Sequence, residues 1–281
     1  MSTMLIARRC PNCGAPRQDE VVCAYCDSQL AEAPVRPQAR TRPEILPQGL
    51  FTVEVGDTPY CVLGQLAQGE NARVLLARRA QAATEQVVLK VAEPGKAEVL
   101  EREWATLRHL HGRSDYLDCL LAHPLQLAQA RGRLTLVTRW RSGFVYTAAQ
   151  ARQQYSEGVD PAATVWMWNR ILDQLSCLDE LGYSHNDLRP EHLLLHPRDH
   201  GVAFCGWGRA ELGPGNDLAR SGQCIAALLG RKAPRALVQL AHDAHHFDCP
   251  RQLRAALKDV AAAAFGPPRY RPFALPRVNK P

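Results

Sequence analysis

A chain of 281 residues with 46% hydrophobic and 22% charged residues has ordinary globular composition, with room for one large core or two smaller ones. The formal net charge of +6 is mild for that length, and no window approaches eighteen unbroken apolar residues, which excludes a membrane-spanning helix. The opening MSTMLIARRC sets a brief apolar patch before two arginines, the reverse of a secretory leader, so the expected location is cytoplasmic.

Residues 1–30 carry four of the ten cysteines as two C-x-x-C pairs, Cys10 with Cys13 and Cys23 with Cys26. A tight turn after each first cysteine would bring each pair onto one ion, and two such knuckles make a tetrahedral thiolate site. A structural Zn2+ is therefore expected, and it would supply the folding energy that so short a segment cannot obtain by apolar burial. The competing reading is a pair of redox dithiols. Tyr25 is the one aromatic residue of this segment and its basic residues are matched by acids, so protein contact is expected over nucleic acid. The other six cysteines are scattered singly, as small buried hydrophobes are in a reducing compartment. Residues 31–49, AEAPVRPQARTRPEILPQG, hold prolines too closely spaced for helix or central strand and read as a semi-stiff linker.

From residue 50 the pattern changes to short β-like and longer helical stretches. VVLKVA (87–92) and LTLVTRW (134–140) are strand candidates rich in β-branched residues. Between them AEVLEREWATLRHLHG spaces Val99, Leu100, Glu103, Leu107 and Leu110 helically before a glycine stop. Further helices are expected at 161–181, opened by Pro161, and at 217–229, with a last one in LRAALKDVAAAAFG. Strands come first and helices later, the order of an α+β protein. The stretch 266–281 is a proline-punctuated basic tail, expected to strap over the sheet-rich part or onto a partner.

YSHNDLRPEHLLL (183–195) resembles the catalytic loop H-R-D-L-K-P-x-N-L-L of the eukaryotic-like protein kinase superfamily. The resemblance implies a bilobal fold over residues 50–281: a β-rich small lobe to about 140, a helical large lobe to about 265, then the tail. It makes His185 the loop histidine, Asp187 the catalytic base, Arg189 the basic residue beside it, and sets His192 where a metal-binding asparagine belongs. VVLK similarly implies that Lys90 is the phosphate-binding lysine and Glu103 its partner on the next helix. LAQGENARVLLA resembles the glycine-rich loop, keeping Gly69 while Ala67 and Ala72 replace two glycines. Thr138 resembles the residue gating the adenine pocket, Arg139, Trp140 and Arg141 the hinge, and Val88 stands where an alanine is usual above adenine.

ATP and Mg2+ are the cofactors this resemblance implies, and the departures from it fall on them. VAFCGWGRAEL aligns with the segment ending in D-F-G, and here the triplet is Gly206-Trp207-Gly208. Magnesium prefers oxygen ligands, and neither Gly206 nor His192 supplies one from its side chain. Trp207 is expected to do the packing of the phenylalanine against Leu107 and His185. Eight residues separate Gly208 from Asp217, too few for an ordinary activation segment, and Asn186 replaces the arginine that reads its phosphate. Three readings follow. The first is a pseudokinase that holds protein partners. The second is an active atypical Ser/Thr or small-molecule kinase, with Asp187, Glu191, Asp199 and Asp217 as available carboxylates. The third is a nucleic-acid adaptor led by the zinc ribbon. The combination resembles bacterial kinase-like proteins of signalling complexes, and a membrane is not among the expected partners.

Overall fold

The computed structural model describes residues 8–10, 16–17, 51–80, 85–144, 146–273 and 275. At the amino end a two-residue strand, β1 (Arg8–Arg9), pairs antiparallel with β2 (Pro16–Arg17), Arg9 lying opposite Pro16. Cys10 follows β1 directly and is buried. Cys13, Cys23, Cys26 and the expected linker 31–49 lie outside the described residues.

From Phe51 the chain builds one antiparallel sheet. Strands β3 (Phe51–Val55), β4 (Thr58–Gln68), β5 (Ala72–Arg79) and β6 (Gln86–Ala92) follow as successive hairpins. Helix α1 (Ala97–Leu110) and the single turn α2 (Asp115–Asp118) then intervene before β7 (Pro124–Ala130) and β8 (Arg133–Arg139). The spatial order is β3-β4-β5-β6-β8-β7. The strands expected at 87–92 and 134–140 are β6 and β8; β3 is an element the sequence expectations do not contain. Its FTVEV buries Val53 and Val55. It also brings the two sheet edges together: the Gly56 N–H donates to the Gln129 carbonyl at 3.0 Å, and the Gln126 side-chain amide donates to the Val55 carbonyl at 3.0 Å. Gly56 makes this turn at φ +55°, and a Cβ there would meet the Gln126 amide at 2.9 Å. The curled sheet encloses its own core of Val55, Tyr60, Val62, Val87, Leu89 and Val137.

Beyond β8 the chain turns helical. In order come β9 (Tyr146–Thr147), α3 (Ala148–Gln154), α4 (Pro161–Glu180), β10 (Tyr183–Ser184), β11 (Leu193–His196), β12 (Gly201–Phe204), β13 (Glu211–Leu212), α5 (Asp217–Leu228), α6 (Arg235–His242) and α7 (Pro250–Phe265). Helix α4 starts where expected: Pro161 occupies the first turn and the Asp160 carboxylate accepts from the Ala162 N–H. It then buries Trp166, Met167, Trp168, Ile171, Leu172, Leu175 and Leu178, and Trp168 Nε1 donates to Ser221 Oγ on α5 at 3.1 Å. A helix apolar on so much of its circumference is the axis of a lobe. The α+β, two-lobed architecture is thus explained by two cores, one inside the curled sheet and one around α4.

The tail departs from expectation. Phe273 is buried edge-on to Trp166, with ring centroids 5.7 Å apart, and Tyr270 stacks on His200 at 4.7 Å. Both partners belong to the helical lobe, where the aromatic faces of Trp166 and His200 take up the two tail rings. Among the described residues no helix is long and apolar enough to cross a membrane.

Candidate functional site

Side chains alternate across a strand, so burying Val87 and Leu89 in the sheet core turns Val88 and Lys90 to the opposite face, toward α1 and the second lobe. On α1, Glu103 shares the buried face with Leu100, Leu107 and Leu110. The two elements bring Lys90 Nζ and Glu103 Oε1 to 2.5 Å, with only 17% and 6% of the side chains exposed. Burial alone would depress the lysine pKa. The Glu103 charge, the neighbouring Cys205 and the hydrogen bond to Glu103 together outweigh it, and the pKa is raised.

The loop between β10 and β11 carries His185, Asp187, Arg189 and His192. It is fastened from below by Asp217, whose carboxylate accepts the N–H groups of His185 at 2.6 Å and Asn186 at 2.9 Å. Burial raises the Asp217 pKa against these two bonds. Asp217, expected as a helix start and a spare metal ligand, is therefore spent on holding the loop. Asp199 faces His196 at 3.4 Å in the β11–β12 turn. His185 is fully buried, donates from Nε2 to the Cys205 carbonyl at 3.2 Å, and accepts the Asp187 N–H at Nδ1 at 3.3 Å. Burial, helped by nearby His192, pushes its pKa down to about 3, so the ring is neutral. Trp207 packs edge-on to it at 4.6 Å and is itself buried, while Gly208 admits Val99 of α1, which would stand 2.4 Å from a Cβ.

His192 and Gly206 face each other directly. Gly206 sits in the left-handed region at φ +79°, and a Cβ built on it would fall 2.7 to 2.9 Å from three atoms of the His192 ring. Any larger residue at 206 requires a different residue or position at 192. The ring is held from both sides: Nδ1 donates to the Asp187 carbonyl at 2.7 Å, and Nε2 accepts from Arg189 Nε at 3.3 Å and Nη2 at 3.2 Å. Burial first, and the Arg189 charge among the neighbours, lower its pKa, consistent with a neutral ring. The Asp187 carboxylate lies 3.5 Å from His192 Nδ1 and 3.8 Å from Arg189 Nε. An imidazole and a guanidinium thus flank the Asp187 carboxylate, and neither offers the oxygen ligand that magnesium prefers. Among the described residues no group of His, Cys, Asp and Glu is placed to hold a metal.

The glycine-rich loop closes as a tight turn at Glu70-Asn71, the Gly69 N–H donating to the Ala72 carbonyl at 3.0 Å. Glu70, paired at 3.4 Å with Lys96, puts an acid at the tip. Thr138 is buried on β8 opposite Val88. Trp140 is half-buried and its N–H donates to the Gln86 carbonyl at 3.0 Å, extending the sheet instead of offering that donor to a ligand. The short segment after Gly208 is pinned by β13 pairing with β10 and by the Ser184 hydroxyl donating to the Gly213 carbonyl at 2.6 Å. Asn186, at φ +60°, donates its side-chain amide to Glu211 at 3.0 Å. Asn186, which replaces the arginine of the resembled loop, thus faces a carboxylate, that of Glu211.

Two contributions escape the sequence reading: the Asp217 clamp and the fit of His192 over Gly206. The paired departures at 192 and 206 were the available signal for the second, since each makes room for the other.

No family model matches the chain, and no curated protein matches it. Solved structures do. The BubR1 kinase domain aligns with a TM-score of 0.59 at 15% identity, over 76% of this chain and 83% of that one. The kinase domain of PF14_0431 aligns with a TM-score of 0.53 at 13% identity, over 63% and 65%. Identities this low speak to the fold alone, and the fold is that of a protein kinase domain with a curled-sheet small lobe and a helical large lobe.

Proposed function

We propose that this kinase-fold chain is a pseudokinase: a protein that presents its lobes to protein partners and does not transfer phosphoryl groups with magnesium. The observation that carries the reading is the His192 ring seated over Gly206, which removes both expected metal ligands and fills the space a side chain at 206 would need. Metal bridging of the phosphates supplies much of the transition-state stabilisation in this chemistry, so its loss costs orders of magnitude in rate. In this reading Lys90, Glu103 and Asp187 keep the cleft shaped, and the amino-terminal module, through Cys10, Cys13, Cys23 and Cys26, holds one structural zinc and serves as a second contact surface. The partner class suggested by the sequence resemblance is a bacterial signalling assembly.

A second reading, an atypical kinase, draws on the intact Lys90–Glu103 pair and the placement of Asp187 beside a basic residue. One assay separates the two. Purified protein is incubated with radiolabelled ATP and either magnesium or manganese, against generic and partner substrates, with Asp187→Ala in parallel. We expect no labelling above the Asp187→Ala background. Robust labelling that vanishes in Asp187→Ala would overturn the pseudokinase reading in favour of the atypical kinase.

A further inference from the structure

The end of α1, the turn α2 and strands β7 and β8 surround an open recess of about 550 Å3. It is lined by His111, Gly112, Asp118, His123, Arg139 and Arg141. We propose that this recess binds a phosphate monoester, through Arg139, Arg141 and the two histidines.

The charges inside the recess are unbalanced. Its one acid, Asp118, is already engaged: both carboxylate oxygens accept the Gly112 N–H at 3.0 Å, and Oδ1 lies 3.2 Å from His111 Nδ1. His111 Nε2 faces the Ala122 carbonyl at 3.2 Å. Each ring nitrogen of His111 thus faces an oxygen acceptor. His123 stands edge-on to that ring, centroids 4.9 Å apart. Burial, then the charges of His111 and Arg139, lower the His123 pKa, with Arg141 also lowering it and Asp118 opposing. Arg139, the last residue of β8, is exposed at the rim. Arg141 Nη2 donates to the Asp118 carbonyl at 2.7 Å, which fixes the plane of its guanidinium. Two guanidinium groups and two imidazoles around one recess match a tetrahedral dianion, whose oxygens accept several charge-assisted bonds at once.

The test is a titration of the full-length protein with inorganic phosphate, phosphoserine peptide and a sugar phosphate, followed through the histidine ring resonances. We expect saturable shifts at the His111 and His123 rings, which line the recess. Arg139→Gln should weaken binding about tenfold while Arg139→Lys weakens it less, the difference between losing and keeping one charged donor. Tighter binding of the peptide assigns the site to a phosphorylated protein, tighter binding of the sugar phosphate to a metabolite. Shifts that never saturate, or affinity within twofold of wild type in Arg139→Gln, would overturn the proposal. Because Arg139 is exposed, neither substitution threatens folding.

Discussion

At the scale of single residues, the active-site departures behave as a matched set. Gly206 has no room for a Cβ while His192 is present, since that atom would lie 2.7 to 2.9 Å from the ring. Gly206→Ala should therefore cost about 2–4 kcal/mol, the sum of a steric clash and a left-handed backbone that alanine resists. In a His192→Ala background the same change should cost only the backbone part, about 1 kcal/mol. A double-mutant cycle in urea measures the coupling; additive losses would show that the ring yields freely. A second residue ties stability to pH. His200, stacked on Trp166 at 4.4 Å and under Tyr270, has its pKa pushed down to about 4 by burial first and the Arg170 charge second. The folded ring stays neutral while the unfolded chain takes up a proton, so the stability held above pH 6.5 is lost as pH falls from 6.5 toward 4. The loss is of order 3 kcal/mol. His200→Phe keeps an aromatic face in the stack and should flatten that slope in thermal melts, with the similarly buried His185 leaving a residual decline.

Elements place these residues, and the interaction that best shows it is between β6 and α1. Glu103 neutralises a lysine that is 17% exposed, so Glu103→Gln leaves a charge largely out of water and should cost about 2–3 kcal/mol, below the figure for a fully buried ion. Replacing both partners together, Lys90→Met with Glu103→Leu, should cost far less, because no charge is left uncompensated. Denaturation midpoints of the three variants check this. Local strings made much of this scale readable: VVLK alternates its side chains, EREWATLRHL repeats every three or four residues, and both patterns hold whatever the rest of the chain does. What could not be read depends on contacts between distant strings. Asp217 was visible as a helix start, but its two N–H donors come from the loop at 185–186. FTVEV alternates as β3 should, yet its place in the sheet depends on β7 arriving from far along the chain. The docking of Phe273 depends on which aromatic faces the other elements leave uncovered.

For the whole molecule, the amino-terminal segment proposed to bind zinc and the kinase-fold body pose different folding problems. The body has its own two cores, whereas a segment of about 30 residues with four thiols is too short to fold on apolar burial alone. Purified protein should carry about one equivalent of zinc, as a four-thiolate site requires. Cys23→Ser should lose it while the main unfolding transition stays in place. Full zinc content in that variant would remove the assignment. The seam between Gly56 and Gln129 has a further consequence for how partners can attach. An open sheet offers unpaired N–H and C=O groups along its outer strands, an invitation both to aggregation and to ligands that bind by adding a strand. In this lobe β3 and β7, the two strands that would carry that invitation, spend part of it on each other. A partner of the small lobe would then read side chains on the outward faces of the strands more than open backbone, and single substitutions there would change its binding without disturbing the backbone beneath.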